Sequence, residues 1–201
     1  MAAGKKHILV MYRRTMDRLW PGSLALGLLL LALWRYGSAF TDLYRPELNG
    51  LILVAGVYAA GIGLFALLAR RMGYVRAYDR FILVATPFFR FKTSYQRLRG
   101  VRSVDFHRLF DLEDLSWTEE RYVAPMIGST AVVVKLTRYP ISTGVLEKFF
   151  QKYLLSPQDT ELVFVVPDWM SFSVELDSRY NEYRQYRSAR KHGRGFQRGI
   201  S

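Results

Sequence analysis

Hydrophobic residues follow two different patterns along the chain, and the change falls near residue 73. Before it, apolar residues form two long uncharged runs, residues 19–34 and 48–69. After it, they form short runs that charged residues interrupt. Since a helix of about 20 apolar residues can cross a bilayer, the pattern predicts a transmembrane hairpin within residues 1–73, followed by a domain of shorter elements.

The first run has only 16 residues, but Arg35 can extend its side chain to the interface and residues 36–40 continue the segment. We therefore place the spans at about residues 19–40 and 48–69. Trp20 and Trp34 bracket the first run, as interfacial aromatic residues do. Pro21 fits the first turn of a helix.

A buried helix pair in a soluble protein and a cleaved signal peptide are the other interpretations of these runs. A domain of this size cannot bury two such helices. Eighteen residues, five of them Lys or Arg, precede the first run, which is unlike a signal peptide. We therefore keep the hairpin.

Basic residues flank the hairpin asymmetrically. The connecting loop contains two of them, Arg35 and Arg45, whereas nine lie before the first run or just after the second. The nine are Lys5, Lys6, Arg13, Arg14, Arg18, Arg70, Arg71, Arg76 and Arg80. Because cytoplasmic flanks are enriched in Lys and Arg, we expect both termini and everything after residue 70 in the cytoplasm.

The second span carries small residues four positions apart, Gly56 with Ala60 and Ala59 with Gly63. Such spacing permits close approach between helices, either of the two spans of one chain or of two chains in a dimer. No Asp, Glu, Lys, Arg or His lies inside either uncharged run, which argues against a pump or transporter.

Short alternating or β-branched runs predict strands after residue 73. Residues 74–78 and 81–86, joined by Asp79 and Arg80, have the spacing of a tight hairpin. The other predicted strands are residues 88–94, 101–106, 131–136 and 161–166.

Apolar residues recur with a helical period in residues 143–154 and again from Trp169 onward, where Asp168 or Ser171 fits the N-cap. We expect the domain, residues 74–190, to be an antiparallel β-barrel or sandwich closed by this C-terminal amphipathic helix. The locally acidic residues 107–128 are expected to form a loop. The basic, glycine-containing end, residues 191–201, is expected to be a flexible tail.

Composition adds a strong charge bias to this picture. The 201 residues have a formal net charge of +12 and a sequence pI of about 10.1, and none is cysteine, which excludes disulfides and thiolate chemistry. A basic chain favours anionic partners, and beside two apolar spans the anionic bilayer is the simplest one. Nucleic acid is not expected, because Phe196 is the only aromatic residue among the glycines of the tail.

One part of the domain resembles a known family. The segment YVRAYDRFILVATPFFRFKTSYQRLRGVRSVDF, residues 74–106, resembles the first half of bacterial pleckstrin-homology-like (PH-like) domains, in which a phrase such as SYQRLRGV follows the third strand. The segments VVVKLTRYPISTGVLEKFFQKYLLSP and ELVFVVPDWMSFSVELDSR are similar to uncharacterised membrane proteins of Chloroflexi-type bacteria.

The resemblance covers about residues 20–180. It implies an α+β membrane protein with a PH-like barrel, a multi-pass location in a bacterial inner membrane and a non-catalytic role. The helix predicted at residues 143–154 departs from the family pattern, in which a single helix closes the barrel.

Patterns typical of catalysis and metal binding are missing from the sequence. His7, His107 and His192 lie far apart and outside zinc-ligand spacing. No Gly-rich phosphate loop and no nucleophile motif occurs after the spans. We expect no enzyme activity, no catalytic residue, no cofactor and no metal.

Exposed basic residues are the remaining candidate chemistry. Those predicted to contact lipid headgroups or other anions are Arg90, Lys92, Arg97, Arg99 and Arg102. The sequence thus predicts a membrane-anchored scaffold whose domain docks membrane proteins, a second copy of the chain or the lipid face. The alternative is a small accessory subunit of a larger membrane complex, held through its transmembrane helices.

Overall fold

The computed structural model describes residues 3–40, 46–110, 120, 123–142, 144, 146, 152–156 and 159–198. In chain order, its helices and strands are β1 (Ala3–Ile8), α1 (Val10–Phe40), α2 (Pro46–Ala69), β2 (Tyr74–Tyr78), β3 (Phe81–Ala85), β4 (Arg90–Ser94), β5 (Leu98–Asp105), β6 (Thr130–Leu136), β7 (Glu161–Val165) and α3 (Trp169–Arg198). Two compact units result: Met1–Val10 with Tyr74–Ser201, and Met11–Gly73. The protein is therefore α+β, with two apolar helices and two antiparallel sheets.

The first sheet has four antiparallel strands in the order β1-β2-β3-β4. The predicted hairpin is present as β2 and β3, and β4 follows it. β1 differs from the prediction, which assigns the start of the chain to the basic flank of the helices. The run AGKKHI is short and mostly polar, so only its pairing with β2 identifies it as a strand.

The second sheet has three antiparallel strands in the order β5-β6-β7. Every residue of β7 is buried, so both faces of this strand are covered. On one face, the Phe164 ring meets Phe172 of α3 edge to face, with centroids 6.0 Å apart. A separate aromatic cluster joins Phe106, Phe110 and Tyr153.

α3 packs across both sheets through its predicted apolar stripe. Asp168 Oδ1 accepts a hydrogen bond from the Ser171 N–H (3.3 Å) at the N-terminus, which is the expected capping contact. Phe172 and Leu176 are fully buried. The helical backbone continues to Arg198, eight residues into the segment predicted to be a flexible tail, residues 191–201.

Within the described residues, the two sheets do not close into a barrel, so the barrel form of the prediction is wrong. Ser94 Oγ accepts a hydrogen bond from the Gln96 N–H (3.3 Å) and caps a 3-10 turn, Tyr95–Arg97. This turn ends β4 and leads the chain into β5, which pairs with β6.

Most of the predicted helix at residues 143–154 and the middle of the predicted loop at residues 107–128 lie outside the described residues.

The helical unit contains α1 and α2. α1 begins nine residues before the predicted span, so Pro21 lies inside the helix and not in its first turn. An ion pair at i,i+4 spacing, Arg13 with Asp17 (3.7 Å), supports the added turns. The segments Val10–Tyr36 and Asn49–Ala69 are long and apolar enough to cross a membrane, and only 11% and 17% of their most apolar windows are buried in the protein.

Candidate functional site

The two faces of the four-stranded sheet differ in chemistry, because alternate residues of a strand point to opposite sides. One face is buried, and its residues are His7, Val75, Ala77, Ile82, Val84, Phe91 and Thr93. The opposite face, which we call the basic face, consists of Lys6, Ile8, Tyr74, Arg76, Tyr78, Phe81, Leu83, Arg90 and Lys92. None of these four described strands contains Asp or Glu.

Aromatic rings lie beneath the cations of the basic face. Lys6 Nζ is 4.1 Å from the centre of the Tyr74 ring, and Lys92 Nζ is 5.2 Å from that of Phe81. Arg76 lies over Tyr78, whose ring also stacks on Phe81 at 4.7 Å. Each cation–aromatic contact of this type contributes about 0.5–1 kcal/mol at an exposed site. The arrangement presents positive charge outward above rings that are already in contact.

A tight turn, residues 86–89, joins β3 to β4. The Thr86 N–H donates to the Phe89 carbonyl (2.8 Å), and the Phe89 N–H donates back to Thr86 Oγ1 (3.1 Å). Pro87 restricts the backbone between them. Phe88 is 66% exposed at the tip of this closed turn.

The five predicted basic contacts lie in three elements: β4 of the first sheet, β5 of the second, and the 3-10 turn between them. Arg90 and Lys92 are exposed on β4, on the basic face. Arg99 is exposed on β5, and Arg97 donates a hydrogen bond from Nη1 to the Tyr139 carbonyl (3.3 Å). Arg102, also on β5, forms an ion pair with Glu161 of β7.

Arg102 is part of an ion-pair cluster around a buried carboxylate. Its Nη2 lies 2.9 Å from Oε2 of Glu161, a residue that is 1% exposed. Lys135 Nζ is 3.9 Å from the other carboxylate oxygen of Glu161 and 2.7 Å from Asp159. The hydrogen bond from Lys135 lowers the pKa of Asp159, and burial raises the pKa of the Tyr139 hydroxyl nearby. The charge of Arg102 is thus used to stabilise the fold.

A second polar network holds β1 against α3. The buried His7 lies 3.3 Å from Glu175 Oε2 through Nε2, and its ring packs on Phe172. Glu175 Oε1 accepts the Lys5 N–H (3.2 Å) and lies 3.6 Å from Arg179, which also pairs with Asp79. Glu175, Arg179 and Asp79 border an open groove of about 820 Å³. Met170 and Val174 are exposed along it.

Sequence reasoning missed this network, because its β-strand partner was not recognised. Gly4 carries the one signal in the sequence. A Cβ there would collide with the Glu175 carboxylate and lie 2.8 Å from the Ala77 carbonyl. Glycine at this position therefore leaves room for both the Glu175 side chain and the Ala77 carbonyl of β2. The Lys5 ammonium, 3.0 Å from Asp168, lowers the pKa of that carboxyl through a hydrogen bond.

A smaller groove of about 300 Å³ lies between the Tyr95–Arg97 turn and the later part of α3. Tyr180 donates its hydroxyl hydrogen bond to the Leu98 carbonyl (3.1 Å). The Tyr95 hydroxyl is buried and has no hydrogen-bond partner among the described residues, and burial raises its pKa.

Three of the four small residues predicted for helix packing contact α1. A Cβ added to Gly63 would lie 2.8 Å from the Leu24 nitrogen, and one added to Gly56 would lie 3.1 Å from Leu31 Cγ. Ala60 lies against Gly27 of α1, a residue that the spacing argument overlooks. Ala59 is half-buried. The small residues therefore bring α1 and α2 of one chain together.

No group of three or more His, Asp or Glu side chains within the described residues could hold a metal ion. His107 is exposed in a 3-10 turn. Comparison with models of protein families, with characterised proteins and with solved structures finds no significant match. The class of protein is therefore defined by its architecture alone, an α+β chain with an apolar helical hairpin.

Proposed function

We propose that the chain is a non-catalytic, membrane-anchored interaction module of a bacterial cytoplasmic membrane. In this proposal α1 and α2 cross the bilayer, and the unit of sheets and α3, which we take to be PH-like, docks membrane proteins, a second copy or the lipid face. The observation that carries it is the insertion of an apolar hairpin between two paired strands, β1 and β2.

Exposed apolar side chains support a membrane location for the hairpin. Large ones cover the outer surfaces of both helices, and they include Leu26, Leu28, Leu29, Leu51, Val54, Val57, Tyr58, Leu64 and Leu68. An apolar surface of this extent is unfavourable in water and favourable in lipid. The same surfaces also suit contact with other transmembrane helices, as the accessory-subunit alternative requires.

The strand pairing supports two crossings. Ile8 pairs with Tyr74, so the residues that enter α1 and those that leave α2 belong to one sheet. Both ends of the hairpin must then emerge on the same side of a bilayer. The nine basic flanking residues favour the cytoplasmic side.

The pairing of charged groups supports a role in binding. Glu175, Arg179, Asp79 and His7 engage one another and hold α3 to the sheet. Groups used in this way fix the fold, and the exposed Met170 beside them remains available for partners.

Site-specific photocrosslinking in native membranes tests the proposal and its alternative. A photoreactive residue replaces Met170 on α3 in one variant and Val57 on α2 in another; the native side chains are 61% and 57% exposed. Discrete adducts at position 170 are expected. Adducts at position 57 alone would favour an accessory subunit held through its helices, and adducts at neither position would contradict docking of a protein partner by either surface.

A further inference from the structure

The first sheet ends in a row of paired residues at the point where the chain leaves for the hairpin. Ile8, Tyr74, Ala85 and Arg90 form this row across the four strands. The chain continues into α1 just after Ile8 and returns from α2 just before Tyr74. The β3–β4 turn, residues 86–89, extends beyond the same row. Because neighbouring strands lie about 4.8 Å apart, the turn starts within about 10 Å of both connections.

An exposed aromatic ring on a rigid turn is suited to the bilayer interface. Three hydrogen bonds between Thr86 and Phe89 fix the turn, so Phe88 is held outward without further ordering. Ordering a loop on binding costs free energy, which a preformed turn avoids. Aromatic side chains are enriched at the level of the lipid headgroups.

Positive charge surrounds the same end of the sheet. Arg90 is in the last row, and Lys6 and Lys92 are two rows inward on the same face. None of the four strands contains an acidic side chain. The face is therefore complementary in charge to anionic headgroups.

We infer that the basic face and the β3–β4 turn together form a lipid-contact surface, in which Phe88 enters the interface and Arg90, Lys92 and Lys6 bind headgroup phosphates. The inference rests on the proposed function, since it requires the hairpin to lie in the same bilayer. It separates Arg90 and Lys92 from Arg102, whose charge is matched by Glu161.

Single-stranded nucleic acid is the other polyanion that a basic, aromatic sheet can bind, and it does so by stacking bases on open rings. Here the rings are covered. Lys6 lies over Tyr74 and Lys92 over Phe81, and Phe81 stacks on Tyr78. Phe88, which is 66% exposed, lies in the turn beyond the row of residues from which the chain enters α1, which favours lipid.

Nitroxide labelling of the full chain in lipid nanodiscs tests the surface, because the chain has no cysteine and each introduced one is unique. The test site is Phe88→Cys. The matched control is Arg80→Cys, in the β2–β3 turn at the opposite end of the same sheet. A label at Val57→Cys on α2 reports separately on the hairpin. Accessibility to oxygen and to a water-soluble nickel complex gives the depth of each label.

With phosphatidylglycerol present, the label at position 88 is expected to favour oxygen over nickel, as a label in lipid does, whereas the label at position 80 favours nickel. Replacing Arg90 and Lys92 by Gln should lower the ratio of lipid-immersed to water-exposed label at position 88. The expected decrease is roughly fivefold per charge, or about 30-fold for both. Phosphatidylcholine alone should give a similar loss in the parent protein.

Nickel access at position 88 equal to that at position 80 overturns the lipid-contact surface if the label at position 57 is in lipid. A label at position 57 that is open to nickel instead contradicts the proposed hairpin itself. If the Gln variant loses binding of a single-stranded oligonucleotide but keeps its depth at position 88, the face binds nucleic acid and the inference is wrong.

Discussion

Tyr95 shows how burial at a single residue can oppose stability. Its ring packs between Tyr180 and Tyr183 of α3, but its hydroxyl is buried without a partner among the described residues. A buried, unpaired hydroxyl costs about 1–3 kcal/mol. The Tyr95→Phe variant is therefore expected to keep or gain stability, by up to about 1 kcal/mol.

Thermal unfolding of the full chain in detergent measures this change. Tyr180→Phe is the matched control, because it removes a hydroxyl that donates to the Leu98 carbonyl, and it should lose about 1 kcal/mol. A loss in Tyr95→Phe as large as that in the control would show that the Tyr95 hydroxyl has a partner.

The same residue predicts a dependence on alkaline pH. Burial raises the pKa of Tyr95 above its ordinary value of 10.0, so the folded protein retains a proton that the unfolded chain loses. Ionisation of Tyr95 therefore leaves the free energy of unfolding unchanged below pH 10 and lowers it as the pH rises further. Unfolding temperatures measured across that range should fall less steeply in Tyr95→Phe than in the parent. Parallel slopes would contradict the prediction.

Arg102 and Glu161 provide a second test at the residue scale. Arg102→Met leaves a carboxylate that is 1% exposed without its nearest cation, so a loss of about 2 kcal/mol is expected. Adding Glu161→Leu should recover most of it, since a buried ion pair can be replaced by apolar side chains. Thermal unfolding of the single and double variants measures the coupling. An unchanged stability in Arg102→Met would mean that Arg102 is available to anions after all.

Sequence reasoning placed Arg102 correctly on a strand but assigned its charge to an external anion. Its partner, Glu161, is 59 residues away and comes into reach only through the pairing of β5 with β6 and β6 with β7. Periodicity reports which side of a strand a residue occupies. It does not report which residue two strands away shares that side.

At the scale of elements, local signals were sufficient for some strands and insufficient for others. β2 and β3 are adjacent in sequence, with a two-residue connection and alternating burial, so their pairing was predictable. β1 pairs with β2, which follows both apolar helices in the sequence. No local pattern in AGKKHI indicates that pairing. The barrel prediction was wrong for a related reason, because long-range contacts determine which strands pair.

The topology at β1 predicts that the hairpin can be removed. Ile8 and Tyr74 are paired neighbours, so an Asn-Gly turn replacing residues 9–73 can connect β1 directly to β2. The shortened chain should be soluble and monomeric, with a cooperative thermal transition, as size-exclusion chromatography and circular dichroism would show.

A chain that starts at Tyr74 is the control. Without β1 it exposes the edge of β2, and Glu175 loses its contacts with His7 and Lys5. This chain should therefore aggregate or unfold at a lower temperature. Equal behaviour of the two chains would show that β1 contributes little.

At the scale of the whole molecule, the antiparallel pairing of β1 with β2 and the basic flanks make one joint prediction about orientation. For helices that cross a bilayer, the pairing requires an even number of crossings, and the charge bias predicts the cytoplasmic side for both termini. Single cysteines introduced by Leu43→Cys, between the two apolar runs, and by Arg187→Cys on α3 separate the two sides. In intact bacterial cells a membrane-impermeant maleimide should label the Leu43→Cys variant, and should label the Arg187→Cys variant only after permeabilisation. The reverse pattern would mean that charge does not set the orientation. Labelling of both variants in intact cells would place the two sites on one side of the membrane, which is incompatible with two crossings.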